Sequence, residues 1–237
     1  MQDNVSNPSL IIKSTIIFDL DGTLVDSAPD LSNSINAMLS TLKREPFHDD
    51  LIHSWVGNGA KILVERALSG ARNINEQLND DDCDKALSIF LAHYKENACV
   101  HTKLYEGVSS TLAELKERGY TLNIVTNKPL MFVGPILETL GIKDYFDMVL
   151  GADSLPKKKP DPMPLSHICD AQNIDIKHCV MVGDSHNDIL AANAINMESI
   201  GLTYGYNYGE DITLHKPTIV CDQFIQLLDY LPVLSSK

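Results

Sequence analysis

Thr15-Ile16-Ile17-Phe18-Asp19-Leu20-Asp21-Gly22-Thr23-Leu24-Val25-Asp26-Ser27 is the stretch on which the reading of this chain turns. Its first residues form a near-continuous apolar and β-branched run, the pattern of a strand buried on both faces of a parallel sheet. The run ends in carboxylates and a turn-forming Asp-Gly pair. Leu122 to Asn127, Met148 to Gly151 and Cys179 to Asp184 repeat the pattern, each followed by helical spacing, and Ser199 to Tyr204 and Thr218 to Cys221 extend the sheet. Helices are expected over Val108 to Arg118 and Pro135 to Leu140, stopped by Gly119 and Gly141. Strands alternating with helices at short spacing predict an α/β fold: a parallel sheet with helices on both faces.

One connection breaks the alternation. About a hundred residues separate the first strand from the second, far more than a crossover of a dozen or so requires. Leu31 to Leu42, Gly59 to Leu68 and Cys83 to Ala98 carry helical apolar spacing within it, and Asn79 to Asp82 suits a polar turn or helix N-cap. The expected architecture is therefore a Rossmann-like core, residues 1–27 and 102–237, with an inserted all-helical cap, residues 28–101, over the active-site end of the sheet.

At 237 residues, 44% apolar and 22% charged, the chain has the composition of an ordinary globular protein. Its formal net charge of -13 repels nucleic-acid backbones and anionic membranes, so neither is expected as a partner. An anionic substrate would need cations gathered locally. The five cysteines include no C-x-x-C pair, which suits free thiols in a reducing compartment. Met1 to Lys13 lacks the basic start of a secretory signal, and no apolar run approaches the roughly 20 residues of a membrane span. A cytoplasmic location is expected.

Ligands of open parallel sheets bind outside the carboxyl ends of the strands. Those ends read Asp19-Leu20-Asp21-Gly22-Thr23, Thr126-Asn127-Lys128 and Gly183-Asp184-Ser185, so carboxylates, hydroxyls and an amine are predicted to converge. Asp19 and Asp21 bracket one residue and would point the same way in extended chain. With Asp184 and Asp188 they would repel one another by roughly 4 kcal/mol per pair at about 4 Å and an effective dielectric near 20. A hard divalent cation removes that repulsion, and an all-oxygen set favours magnesium over zinc or copper.

The first stretch resembles the first motif of the haloacid dehalogenase-like superfamily. Thr126 matches the second, Lys159-Pro160 the third, and Gly183-Asp184-Ser185 with Asp188 the fourth, in that order along almost the whole chain. The resemblance implies a phosphatase that forms a phospho-aspartate. Asp19 would be the nucleophile, ionised because a free aspartate has a pKa near 3.9, and Asp21 the acid and then the base. Thr126, with Asn127 beside it, would hold phosphoryl oxygens, and Lys159 would neutralise Asp19 and the transferring group. Asp19, Asp184 and the Asp21 main-chain carbonyl would ligate Mg2+, with Asp188 in support.

Trp55-Val56-Gly57-Asn58-Gly59, Glu65 to Leu68, Val125 to Pro129 and Gly201 to Gly209 are similar to bacterial phosphoglycolate phosphatases, which makes 2-phosphoglycolate the implied substrate. The partner is then a small-molecule phosphate ester, and the chain a monomer or homodimer. The same family pattern leads one to expect arginine more often at His186, to which the sequence assigns no role. Rival readings are a phosphatase for pyrophosphate or a sugar phosphate, a sugar phosphomutase, and a non-catalytic phosphate-ester-binding module. A dehalogenase would need neither Asp21 nor the metal.

Plainer readings apply elsewhere. Lys157 and Lys158 read as a solvated charge run, and Lys61 and Arg66 as surface helix positions that, with Lys128, are the candidate cations for the leaving group. Trp55 fits a cap core, Gly57 and Gly59 fit turns, and Tyr204, Tyr206 and Tyr208 fit packing or a subunit contact. His53, His93 and His101 have no ligand spacing.

Overall fold

The protein is described from a computed structural model, over residues 13–207 and 209–234. Tyr208 and residues 1–12 lie outside the described residues, so the readings of that tyrosine and of the N-terminal segment rest on sequence alone.

The chain runs β1 (Thr15–Phe18), β2 (Val25–Asp26), α1 (Ala28–Thr41), α2 (Asp49–His53), α3 (Ala60–Ser69), α4 (Asp80–Asn97) and β3 (Lys103–Leu104). It continues α5 (Val108–Glu117), β4 (Thr121–Val125), α6 (Leu130–Thr139), β5 (Met148–Leu150) and α7 (Met163–Ala171). The last elements are β6 (Cys179–Gly183), α8 (His186–Asn193), β7 (Glu198–Leu202), β8 (Ile219–Cys221) and α9 (Leu227–Tyr230).

Six strands form one sheet in the order β5-β4-β1-β6-β7-β8, and every pairing in it is parallel. Alternate residues of each strand serve opposite faces. Ile16, Phe18, Leu122, Ile124, Val180 and Val182 join one buried cluster with Leu112 and Leu115 of α5. Ile17, Val125, Cys179 and Met181 join another with Leu165 and Ile168 of α7 and Ala191 and Ala192 of α8. This is the Rossmann-like α/β sheet, covered on both faces, that the apolar runs predict. Among the described residues no helix is long and apolar enough to cross a membrane, and all five cysteines are free.

One local expectation needs correction, and one element was not predicted. The helix expected from Pro135 begins five residues earlier, at Leu130, with Pro135 inside it. Proline there removes one hydrogen bond, to the carbonyl of Met131, and Met131 is 55% exposed, so water can satisfy that group. The short helix α2 has no counterpart in the sequence reading; at five residues it is too brief to show a period.

Helices α1 to α4 occupy the long connection after β1 and pack on one another. Asn79 caps α4, its side chain accepting from the Asp81 N–H at 2.8 Å. The chain leaves the core and returns beside itself: β2 and β3 pair antiparallel, Val25 opposite Leu104 and Asp26 opposite Lys103. Buried Asp30 fastens the two crossings. Its carboxylate accepts from the backbone N–H groups of Val100, His101 and Thr102 and from the Thr102 hydroxyl, all at 2.7–3.0 Å.

Candidate active site

Parallel register places the ends of β1, β4 and β6 level, since Phe18 lies opposite both Ile124 and Val182. Asp19, Thr126 and Asp184 therefore leave neighbouring strands at one edge. One oxygen from each of Asp19, Asp184 and Asp188 lies within 4.8 Å of the others, and all three residues are buried. Lys159 enters this group, its Nζ donating to Asp19 Oδ1 at 2.8 Å and to Asp188 Oδ1 at 2.6 Å.

Three buried carboxylates thus face one ammonium, and burial and mutual repulsion show in the titration of Asp19 and Asp184. Burial pushes the Asp19 carboxyl up to about 7 against the pull of Lys159, and the charges of Asp188 and Asp21 add to the rise. Burial, with Asp19 and Asp188 nearby, holds Asp184 well above the ordinary carboxylate range. Burial opposes the charge on Lys159, but Asp188 and Asp19 overcome it and raise its pKa. The free-aspartate value therefore does not describe Asp19: in this pocket its ionisation depends on neighbouring positive charge.

The backbone is shaped around Asp184. Its Oδ1 accepts the Thr23 hydroxyl at 2.7 Å and its Oδ2 the Tyr206 N–H at 2.7 Å. A Cβ on Gly22 or Gly205 would come within 2.3 or 2.2 Å of its carboxylate, and Gly22 also has φ +91°. Side chains are excluded at both positions. Asp188 caps its own helix, accepting from the Ser185 N–H and hydroxyl at 3.0 and 2.9 Å. With its other oxygen on Lys159, it is placed to support the site. Buried, all-oxygen, hydrogen-bonded and short of positive charge, this group fits a hard divalent cation.

Asp21 is placed differently from the extended-chain expectation. The chain turns past Leu20, whose carbonyl accepts from Leu24 and Val25 at 2.9 and 3.0 Å, and the Asp21 carboxylate falls outside the group of three. It lines the same cavity as Asp19 but accepts from the Ser27 hydroxyl and, at 2.9 and 3.1 Å, from Lys128 Nζ. Lys128 is itself buried, with its ammonium 4.8 Å from the centre of the Tyr94 ring. Burial works against its charge, and Asp21 and Tyr94 more than restore it, so its pKa lies above the usual lysine range.

Thr126 lines the cavity too, its hydroxyl oxygen accepting the Lys128 N–H at 3.1 Å. Asn127 turns its amide nitrogen to the carbonyls of Lys159 at 3.0 Å and Gly57 at 3.2 Å, which joins the Lys159 loop to the 55–59 stretch. Asn187 donates to the same Gly57 carbonyl at 3.3 Å. Lys158 is half-buried and donates to the Asn58 carbonyl at 2.7 Å, so it is not part of a solvated run; Lys157 is, pairing with Asp161. Gly59, with φ +88°, lets the loop approach: a Cβ there would sit 2.8 Å from the Asn127 carbonyl oxygen.

The other cations named from sequence lie elsewhere. Lys61 is exposed near Glu65, and Arg66 donates to the Trp55 carbonyl at 2.6 Å and the Arg72 carbonyl at 3.1 Å. Trp55 is buried against Phe47. Tyr204 and Tyr206 pack internally: the Tyr204 hydroxyl donates to the Thr23 carbonyl at 2.7 Å and that of Tyr206 to Asp26 at 2.6 Å.

With a parallel sheet, a buried aspartate group at its carboxyl edge and a lysine between them, the chain belongs to the haloacid dehalogenase-like hydrolases, whose family pattern matches residues 16–202. It is 51% identical over 216 residues to a phosphoglycolate phosphatase of Colwellia psychrerythraea, covering 91% of this chain and 96% of that one. A phosphoglycolate phosphatase of Pasteurella multocida is 45% identical, over 90% of this chain and 96% of its own. Among solved structures, a predicted phosphoglycolate phosphatase from Haemophilus somnus superposes with a TM-score of 0.87 at 41% identity, over 93% of this chain and 98% of that one.

Proposed function

We propose that this hydrolase cleaves 2-phosphoglycolate to glycolate and phosphate, with Mg2+ at the Asp19–Asp184–Asp188 group and Asp19 as the nucleophile. The observation that carries the substrate is Lys128, a buried ammonium facing the cavity beside Asp21. Leu31, Val56, Leu63, Phe90 and Phe132 supply apolar walls around it. One cation in a small apolar enclosure suits a leaving group that is little more than a carboxylate. The names of the relatives, at up to 51% identity, support the same reading.

In this mechanism an Asp19 oxygen attacks phosphorus, the bond from phosphorus to the glycolate oxygen breaks, and Asp21 gives that oxygen its proton. Asp21 then takes a proton from water, which attacks the phospho-aspartate, releases phosphate and restores Asp19. Lys159 steadies the charge on Asp19, and the Thr126 hydroxyl donates to a phosphoryl oxygen. Asn127 acts through its amide by fixing the Lys159 loop. Mg2+, held by Asp19, Asp184 and the Asp21 carbonyl with Asp188 in support, would offset charge on the phosphoryl oxygens. A substrate carboxylate would compete for Lys128 and so release Asp21 for its proton transfers. Residues 28–101 act as a cap that excludes water, docked through Gly57 and Asn58. The free thiols suit a cytoplasmic setting.

The test is release of phosphate from 2-phosphoglycolate, pyrophosphate, a sugar phosphate and an aryl phosphate, with magnesium and with excess chelator. Highest kcat/KM on 2-phosphoglycolate, lost on chelation, is expected. A higher value on pyrophosphate or the sugar phosphate, or isomerised sugar without free phosphate, would overturn the substrate.

A further inference from the structure

His186, Glu210 and His215 form a second group of metal-ligating side chains, separate from the aspartates, with one ligand atom of each within 4.8 Å of the others. His186 opens α8, His215 ends the 3-10 turn Ile212–His215, and Glu210 lies on the loop between β7 and that turn. The backbone of all three is tethered independently of any ion. Asn207 accepts the His186 N–H at 3.0 Å, and its amide donates to the Glu210 carbonyl at 2.8 Å. Asn193, at the far end of α8, donates to the His215 carbonyl at 2.9 Å.

The side chains converge within that frame. His215 Nε2 is buried, makes no hydrogen bond among the described residues, and stands 3.7 Å from Glu210 Oε2. That separation is too long for a hydrogen bond, and it is within reach of two donors sharing one cation at roughly 2.0–2.2 Å each. Arg72 donates to the other oxygen of Glu210, Oε1, at 2.9 Å, while Oε2 is the oxygen nearest His215. The two imidazole rings lie 5.5 Å apart and tilted by 45°, not stacked flat.

We propose that His186, Glu210 and His215 bind a borderline divalent cation of the zinc class, at a site distinct from the magnesium site. Two imidazoles and one carboxylate are the donors zinc prefers, whereas magnesium seeks oxygen. Water can complete the coordination. The ion would fasten Glu210 and His215 to α8, and the same connection after β7 carries Gly205, which leaves room for Asp184, and the Tyr206 N–H, which donates to it. The site is therefore a staple on the scaffold of the aspartate group and lies outside the reacting atoms.

Metal-stripped protein, saturated with magnesium and then titrated with zinc, tests this. One zinc per chain should survive gel filtration, raise the melting temperature, and give anomalous diffraction at the zinc edge between the two histidines. His215→Gln and Glu210→Gln should each weaken zinc binding by at least about tenfold while leaving the magnesium dependence of turnover unchanged. Glu210 is exposed, so its variant guards against misfolding of the histidine variant. Zinc that excess magnesium displaces, or that binds equally well to the wild type and both variants, would overturn the site.

Discussion

Lys159 and the 55–59 loop both meet the strand ends, but they are held there in opposite ways. Lys159 is bonded to two buried carboxylates, and Asp184 sits in a pocket that admits no side chain at Gly22 or Gly205. The loop touches the core through neutral carbonyls, Gly57 meeting Asn127 and Asn187, and Asn58 meeting Lys158. Breaking a buried ion pair costs about 3–5 kcal/mol, whereas a neutral hydrogen bond is worth about 0.5–1.5 kcal/mol and one from a lysine about 1.5–3 kcal/mol. The buried carboxylates and Lys159 are thus held by charged contacts, and the loop that meets them by contacts that cost less to break.

The sharpest break of that contrast is at the nucleophile. Asp19→Asn should lower kcat by at least about 10³-fold on every phosphate ester while the fold persists; steady-state rates and circular dichroism check it. Lys128→Met comes next. It should cut kcat/KM for 2-phosphoglycolate by about 100-fold more than for an aryl phosphate, the loss of one charge-assisted contact. Equal losses on the two substrates would reassign Lys128 to the service of Asp21 alone. Lys158→Met should shift the same ratio by only about tenfold, without changing the magnesium concentration needed for half activity.

The smallest effect concerns pH. The folded value of Asp19, about 7, exceeds that of the unfolded chain, so the metal-free fold keeps a proton that the unfolded chain releases. Its stability should fall as pH rises from about 4 to about 7. Magnesium needs the ionised carboxylate, so the melting-temperature gain on adding it should be larger at about pH 8 than at about pH 5, by roughly 5 °C. An equal gain at both would mean that Asp19 is ionised without the metal.

The sheet was legible because strands buried on both faces leave an uninterrupted apolar record, as in Thr15 to Phe18 and Cys179 to Val182. The strand-end residues were legible because parallel strands bring their carboxyl ends to one edge whatever lies between. Pairings between distant segments leave no such record. Nothing near Lys128 in the chain announces Asp21, 107 positions away, and Lys158 resembles its exposed neighbour Lys157 until the Asn58 carbonyl, 100 positions away, is seen. Asp30 is one acidic residue at a helix start, and its role appears only once residues 100–102 return beside it. The sequence around His186 carries no sign of a role because Glu210 and His215, which approach it, come from a separate loop.

The proposed mechanism requires a covalent bond between Asp19 and phosphorus, and trapping it is the most direct measurement. Mix the enzyme, magnesium and labelled 2-phosphoglycolate, quench in acid within one turnover, and map the phosphorylated peptide by mass spectrometry, with Asp19→Asn as control. The label should sit on Asp19, appear and decay at rates consistent with turnover, and be absent from the control. Single-turnover release of phosphate with no phosphorylated Asp19 at any time, or label on another residue that turns over at the catalytic rate, would contradict it.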